Sequence, residues 1–420
     1  MTIRAALLAI GDEIVSGTTI DTNSSFISQS LRAIGVDVVA IFSVTDDQEA
    51  IARAFHRALE EAELVVATGG LGPTADDLTT STIASLAGRS LLLDAASLEA
   101  IEQRFRSRGV PMSPNNRKQA LFPAGSEIIS NPIGTAPGFI CPLEIAGSTR
   151  HVAAFPGVPL EMRRMVEETL IPWVVARSGS ERFETRVFST FGLSESRLDE
   201  LLAGVLEGQQ GRLAFRAAFP RVQARITLQG SDAGVLESRM ADVEHLVRER
   251  LGTHLYGVGN VGLEDVLGGL LVDHGLTLAV AESCTGGLIG HRLTEVPGSS
   301  QYFLLGVVAY SNDAKERLLS VSSETLAHFG AVSTETAVEM ARGARMAAGS
   351  SLGLATTGIA GPSGGTAEKP VGTVCVGISG EGGEWARRFD LGTRDRGWIK
   401  EMTAQIALNH LRLHLLEQQE

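Results

Sequence analysis

Short apolar runs alternate with stretches of helical spacing over the first 175 residues. Residues 5–10, 36–44 and 64–68 are largely apolar, the pattern of strands buried in a parallel sheet. Between them, residues 23–34 and 48–62 place apolar side chains three and four apart, which predicts amphipathic helices. Repeated βαβ units predict a parallel sheet with helices on both faces. Residues 152–155 read as a late strand and 159–174 as a closing helix.

The pattern changes between residues 180 and 256. A strand at 185–191 precedes a helix at 195–206, then come strands at 212–217 and 222–229 and a helix at 235–251. This βαββα order predicts a small split sheet with helices on one face. From residue 259 the βα alternation resumes. Helices are expected at 263–274 and 334–348, strands at 276–281, 303–310, 352–357 and 371–378, and a docked helix at 398–416. The expected fold class is α/β: two three-layer α/β domains with parallel-rich sheets, residues 1–175 and 259–420, joined by a small α+β connector, residues 180–256. The two α/β parts show no convincing repeat.

Composition narrows the function classes. A chain of 420 residues exceeds what one hydrophobic core organises, in keeping with several domains. A net charge of −13 argues against a broad nucleic-acid-binding surface, which needs excess Lys and Arg. The connector is no exception, with nine Arg and no Lys against ten acids from Glu184 to Arg250. Cys141, Cys284 and Cys375 form no Cys-x-x-Cys pair, so neither a disulfide framework nor a thiolate metal site is indicated, and a reducing cytoplasm is expected. The first apolar run is too short to span a bilayer and lacks a small-residue cleavage site, which predicts a soluble protein with no membrane partner.

Candidate chemistry gathers just after predicted strands. Ala281-Glu-Ser-Cys-Thr-Gly-Gly287 joins a strand to a helix. Its backbone N–H groups can hold an anion or a developing oxyanion, and its hydroxyls equally suit helix caps. Tyr310-Ser-Asn-Asp-Ala-Lys315 follows another strand. Lys315 can act as a general base only if burial or nearby positive charge lowers its pKa; a solvated lysine is the plainer reading. Thr356-Thr-Gly-Ile-Ala-Gly-Pro-Ser-Gly-Gly365 holds four glycines in eight residues and suits phosphate or ribose. It is neither a Walker loop nor Gly-x-Gly-x-x-Gly.

Taken in order, Glu282-Ser-Cys-Thr-Gly-Gly287, Tyr310-Ser-Asn with Lys315, Gly330-Ala-Val-Ser333, Thr357-Gly-Ile-Ala-Gly-Pro362 and Lys369-Pro-Val-Gly-Thr373 resemble the nicotinamide-nucleotide amidohydrolase domain of CinA-type proteins, over residues 259–416. The resemblance implies cofactor-free hydrolysis of nicotinamide mononucleotide to nicotinate mononucleotide and ammonia, in pyridine nucleotide recycling. It implies Ser283 as nucleophile, Lys315 as base, and Thr285 or Tyr310 as orienting group. The oxyanion then meets N–H groups near Gly286 and Gly287, and Thr357, Gly358, Gly361 and Gly364 contact the nucleotide. Arg394, in Gly392-Thr-Arg394, matches a Gly-Asp-Arg position that would hold the phosphate, with Thr393 departing from the pattern. Cys284 is the rival nucleophile, since a thiol is intrinsically better than a hydroxyl. Residue chemistry by itself leaves the two open.

In the first part, Gly11-Asp-Glu13 ends a strand and Thr68-Gly-Gly-Leu-Gly-Pro-Thr-Ala-Asp-Asp-Leu-Thr79 follows another, with Asn131-Pro-Ile-Gly-Thr135 and Phe155-Pro-Gly157 later. Glycine turns can cradle a diphosphate and carboxylates a hard cation, while Asp76 and Asp77 equally suit a helix start. The set resembles the molybdopterin-binding fold family and the amino-terminal domain of CinA, which implies metal-dependent hydrolysis of ADP-ribose to AMP and ribose 5-phosphate. Carried over, Asp77 is the first candidate metal ligand or base and Asp12 the second. Gly69, Gly70 and Gly72 face the phosphates, with Thr79, Gly134 and Thr135 as further contacts. A divalent cation, Mg²⁺ or Co²⁺, is implied for this domain alone, with K⁺ as a candidate accessory ion. A pterin-type binding module without catalysis is the competing reading. The connector is KH-like in order, as CinA proteins are here, but Gly192-Leu-Ser-Glu195 ends in an acid where a nucleic-acid-binding loop has glycine. A spacer or homodimerisation role is expected there, with small nucleotides as the protein's partners. An interaction factor in competence or recombination is the competing whole-protein reading.

Overall fold

The computed structural model describes residues 3–145, 147–177, 182–259 and 261–417. Six strands form its first sheet: β1 (Arg4–Ile10), β2 (Asp37–Val44), β3 (Leu64–Thr68), β4 (Glu127–Ile129), β5 (Gly138–Ile145) and β6 (Ser148–Phe155), in the order β2-β1-β3-β6-β5-β4. The first four strands in that order are parallel; β5 pairs antiparallel with β6, and β4 antiparallel with β5. Two residues separate β5 from β6, too few for a crossover, so the sheet is parallel-rich and turns antiparallel at this edge. The unbroken apolar run of β1 has two covered faces behind it. Ala6 and Leu8 meet Phe55 and Leu59 of the helix Gln48–Glu61, while Ala5 and Leu7 share a core with Ile27 and Leu31 of the helix Thr22–Ala33. The closing helix is not continuous: a π turn, Val166–Leu170, separates Pro159–Met165 from Ile171–Val175. Pro172 has no N–H to return to the preceding turn, which accounts for the interruption.

The middle sheet has strands β7 (Arg182–Thr190), β8 (Gly211–Ala218), β9 (Arg221–Gly230) and β10 (Leu255–Val258), in the order β8-β9-β7-β10. The four-residue β10, antiparallel to β7, is too short to register as a sequence pattern. Helices Glu195–Leu202 and Ala233–Leu251 bury Leu198, Leu202, Met240, Val243 and Val247. The chain divides into two compact units, Met1–Thr185 with Gln209–Gly211 and Thr227–Ala241, and Arg186–Gly208 with Arg212–Ile226 and Asp242–Glu420.

The third sheet comprises β11 (Leu278–Glu282), β12 (Phe303–Val308), β13 (Leu352–Gly358), β14 (Thr373–Gly380) and β15 (Gly383–Asp390), in the order β12-β11-β13-β14-β15. β12, β11 and β13 are parallel and the last two antiparallel. β15 is a largely exposed, charged edge strand, so no apolar run announced it. Leu278, Val280, Leu352 and Leu354 form one core with the helices Leu263–Asp273 and Arg396–Glu417. On the other face, Ala279, Ala281 and Ala355 meet Met340, Ala341 and Ala344 of the helix Thr334–Ala348. Small residues let that helix come close: a Cβ on Gly353 would lie 2.0 Å from Ala341 O. The fold is α/β, with two three-layer, parallel-rich regions and a small α+β region between them in sequence. Among the described residues no helix is long and apolar enough to cross a membrane.

Candidate active sites

In the third sheet β11 has β12 on one side and β13 on the other. The carboxyl ends of β11 and β13 therefore flank a topological switch point, where α/β sheets open a crevice. The Ser283 turn leaves β11 there, and the glycine-rich loop leaves β13. Lys315 lies on the helix Asn312–Leu319, not in a loop, because Ser311 caps that helix by accepting from Ala314 N. Lys315 is 1% exposed. Its Nζ donates to Ala309 O at 2.9 Å and lies 3.2 Å from Ser283 Oγ. Burial lowers its pKa below the usual lysine range. No carboxylate pairs with it among the described residues. A neutral amine held this way can donate to Ala309 O and accept the Ser283 hydroxyl proton.

Cys284 is different from its neighbour. Its thiol also touches the cleft, but it packs with Ala360, Val374 and Ile399, and burial pushes its pKa up to about 12. A thiol that stays protonated at neutral pH is a poor nucleophile. The geometry favours Ser283. The cleft, about 260 Å³, is also walled by Tyr310, Thr357, Gly358, Gly361, Gly364 and Arg396.

Several expected roles are redistributed. The Gly287 N–H donates to Glu282 Oε2 at 2.9 Å, and Ile289 and Gly290 donate to the same carboxylate. The Gly286 N–H returns to Ser283 O at 3.2 Å. Neither glycine N–H faces an oxyanion; a left-handed Gly287 (φ +94°) ends the turn so that Glu282 caps the helix Leu288–Glu295. Thr285 is fully buried, bonded to Thr356 Oγ1 at 2.7 Å, and supports the turn from behind. Tyr310 is 61% exposed, and its hydroxyl accepts from Arg396 at 2.5 Å. Orientation of Lys315 therefore comes from the Ala309 carbonyl. Arg394 lies over the Trp398 ring, 5.6 Å from its centroid, and is not among the cleft's walls. Arg396, in the first turn of the last helix, takes that place and also donates to Gly361 O at 2.8 Å. Thr357 lines the cleft with its hydroxyl given to Ala331 O at 2.6 Å.

The first sheet opens its crevice between β1 and β3 by the same strand order. A Cβ on Gly69 (φ +99°) would lie 2.1 Å from Ile10 O, so only glycine lets these strand ends meet. Thr79 is fully buried and gives its hydroxyl to Gly69 O at 2.8 Å; it closes the loop and is not a ligand contact. Side-chain atoms would crowd Gly70 against Thr79 and Gly72 against Asp77. Asp77 accepts from Thr74 N at 2.8 Å and from the Thr74 hydroxyl, so its carboxylate is turned onto its own loop, unlike the expected ligand.

Asp12 and Asp46 exchange backbone-to-carboxylate hydrogen bonds at 3.0 and 3.2 Å. Burial raises the Asp46 pKa, and the charges of Asp12, Glu13 and Asp76 raise it further. Among the described residues no three His, Cys, Asp or Glu side chains converge on a metal position. Two carboxylates with ligand phosphates suffice for a hard cation, and the crowded Asp12–Asp46 pair suits that role better than Asp12 with Asp77. Lys118 Nζ donates to Thr74 O at 2.6 Å, and Arg117 and Lys118 line a cleft of about 380 Å³ beside the same loop. Gly134 and Thr135 line another cleft, about 490 Å³, that contains none of Gly69, Gly70, Gly72 or Asp77. Gly134 serves packing, since a Cβ there would lie 2.0 Å from Glu161 Oε2.

Family models match the chain in three successive stretches: "Probable molybdopterin binding domain" at residues 6–176, "Damage-inducible protein CinA KH domain" at 185–257 and "CinA C-terminal domain" at 260–415. The CinA-like protein of Geotalea uraniireducens (strain Rf4) is 41% identical over 416 residues, 99% of this chain and 98% of that protein. The chain belongs to the CinA family. The CinA-like protein of Geobacter metallireducens is 43% identical over 418 residues, 99% of this chain and 100% of that one. Among solved structures, CinA from Thermoplasma acidophilum is 38% identical, covering 40% of this chain and 98% of its own, with a TM-score of 0.37. CihA from Agrobacterium tumefaciens is 41% identical, covering 37% and 97%, with a TM-score of 0.35.

In this CinA-family chain the sequence reading passed over Glu282, Arg396 and Asp46. Glu282 had a signal, an acid just before a Gly-Gly helix start. Asp46 had one too, since it follows β2 as Asp12 follows β1. Arg396 had none, because its role depends on where the last helix begins.

Proposed function

We propose that the third-sheet region is a Ser–Lys amidohydrolase acting on nicotinamide mononucleotide. The observation that carries this is the buried Lys315, without a carboxylate partner, 3.2 Å from Ser283 Oγ in a cleft walled by a glycine-rich loop and an arginine. Ser283 Oγ attacks the carboxamide carbon as Lys315 Nζ takes its proton. The tetrahedral adduct collapses, Lys315 returns the proton to the leaving nitrogen, and ammonia departs from an ester on Ser283. Water then attacks that ester, giving its proton to Lys315, and the released Ser283 oxygen regains one, leaving nicotinate mononucleotide. Arg396 would meet the phosphate, as a guanidinium suits. Incubating the full chain with nicotinamide mononucleotide and following ammonia tests the reading. Release that persists in Ser283→Ala defeats it.

A second activity, hydrolysis of ADP-ribose, is favoured for the first sheet by the crowding of Asp12, Asp46 and Asp76 opposite Arg117 and Lys118. Asp12 and Asp46 would hold Mg²⁺ or Co²⁺, which supplies neutralisation of the diphosphate charge. The test is ADP-ribose turnover with and without added divalent cation; binding without turnover in either case favours the pterin-type module.

A further inference from the structure

The amidase cleft is reached by a residue that belongs to the middle sheet. Phe219 and Pro220 join β8 to β9. The Phe219 ring stacks on Trp398, with centroids 5.0 Å apart and planes inclined by 26°. Phe219 remains 49% exposed, so this stack is its main cover. Trp398 lies in the first turn of the helix Arg396–Glu417, where the backbone ladder is still incomplete. Its N–H is given to Asp395 Oδ1, and its ring packs against the cluster of Cys284, Ala360, Val374 and Ile399 behind the cleft.

Two residues earlier in the same turn, Arg396 bridges Gly361 O and the Tyr310 hydroxyl, tying the loop after β13 to the segment after β12. Whatever fixes the Trp398 ring therefore fixes the turn that presents Arg396. Besides that buried cluster, Arg394 contributes one cation–π contact to the ring and Asp395 one cap to the turn.

We propose that Phe219 is a positioning residue of the amidase cleft, acting through Trp398 to set Arg396 where it meets the anionic end of the substrate. The middle sheet then contributes to substrate recognition and is more than a spacer. This rests on reading the cleft as the amidohydrolase site. Phe219 touches none of the reacting groups, so its loss should weaken capture of substrate and leave the chemical step alone.

The experiment uses the full chain. Phe219→Ala is expected to raise KM for nicotinamide mononucleotide about three- to tenfold, the size of a lost aromatic pair, with kcat within about twofold. Phe219→Tyr keeps the stack and should restore KM. In an Arg396→Gln background, Phe219→Ala should add little, because both act on one contact. An unchanged KM in Phe219→Ala, or a full additional rise in the Arg396→Gln background, overturns the proposal, as does a parallel fall of kcat and melting temperature with no change in KM. If the wild-type chain releases no ammonia, the amidohydrolase reading has failed. The positioning claim is then decided by calorimetric binding of nicotinamide mononucleotide: weaker binding in Phe219→Ala sustains it, and equal or absent binding in both proteins overturns it.

Discussion

The first and third sheets open their crevices by the same strand order and furnish them with opposite charge. β2-β1-β3 and β12-β11-β13 each put a glycine turn at the switch point. At the first, Asp12, Asp46 and Asp76 accumulate, and burial together with the neighbouring acids raises the Asp46 pKa. At the third, the nearest acid, Glu282, is buried and satisfied by three helix N–H groups, which leaves Ser283, Lys315 and Arg396 facing the cleft. The shared topology gives each region a place for a ligand, and the side chains at the strand ends decide what chemistry is available there. On the proposed reading, an acid-lined crevice would take a cation with its diphosphate, and a buried amine beside a hydroxyl would work without one.

The strongest way to break this comparison is to remove the pair that distinguishes the third crevice. Ser283→Ala and Lys315→Arg should each lower ammonia release by about a thousandfold or more while leaving ADP-ribose turnover intact. Guanidinium stays protonated at working pH, so full activity in Lys315→Arg would reduce Lys315 to an electrostatic part.

Chelation sharpens the same contrast. EDTA should silence ADP-ribose hydrolysis and leave nicotinamide mononucleotide hydrolysis within about twofold, and Asp46→Asn should lower the former about tenfold or more. Loss of both activities on chelation would end the distinction between an acidic, cation-dependent crevice and a cation-free one.

A smaller effect tests the cost of the buried amine. Its folded pKa lies below the unfolded value, so between the two the unfolded chain binds the extra proton and stability rises with pH. Lys315→Met should abolish activity, raise stability near neutral pH by about 1 kcal/mol, and flatten that rise in denaturant titrations. The amidase rate should itself climb with pH through an inflection below the ordinary lysine value, since only the neutral amine can take the Ser283 proton. An inflection at the ordinary value would mean that Lys315 is solvated.

The smallest effect is expected at Cys284. Cys284→Ala removes a buried sulfur at a cost of about 1 kcal/mol and should keep ammonia release within about twofold. Collapse of the rate would restore the thiol as nucleophile.

Much of this was legible before the fold was known. Apolar runs marked β1, β3, β11 and β13 because both faces of those strands are covered, and β15 was missed because its exposed, charged edge carries no such run. The residue types that meet in the third-sheet cleft, Ser283 and Lys315, stand in ordered motifs. The GGxG loop was visible too, though its glycines, with Thr79 and Asp77, proved to hold the loop closed on itself.

The sequence by itself determined the strands covered on both faces, the strongly periodic helices and the residue types carried at their ends. Only the tertiary structure decided which of two adjacent residues, Ser283 or Cys284, meets the amine, because neighbours leaving a strand point different ways. It alone showed the Gly287 N–H and two N–H groups of the next helix already taken by Glu282, a competition no linear pattern records. It also chose Arg396 over Arg394, since Arg396 opens the last helix and bonds Gly361 O at the cleft, whereas Arg394, before that helix, lies over the Trp398 ring.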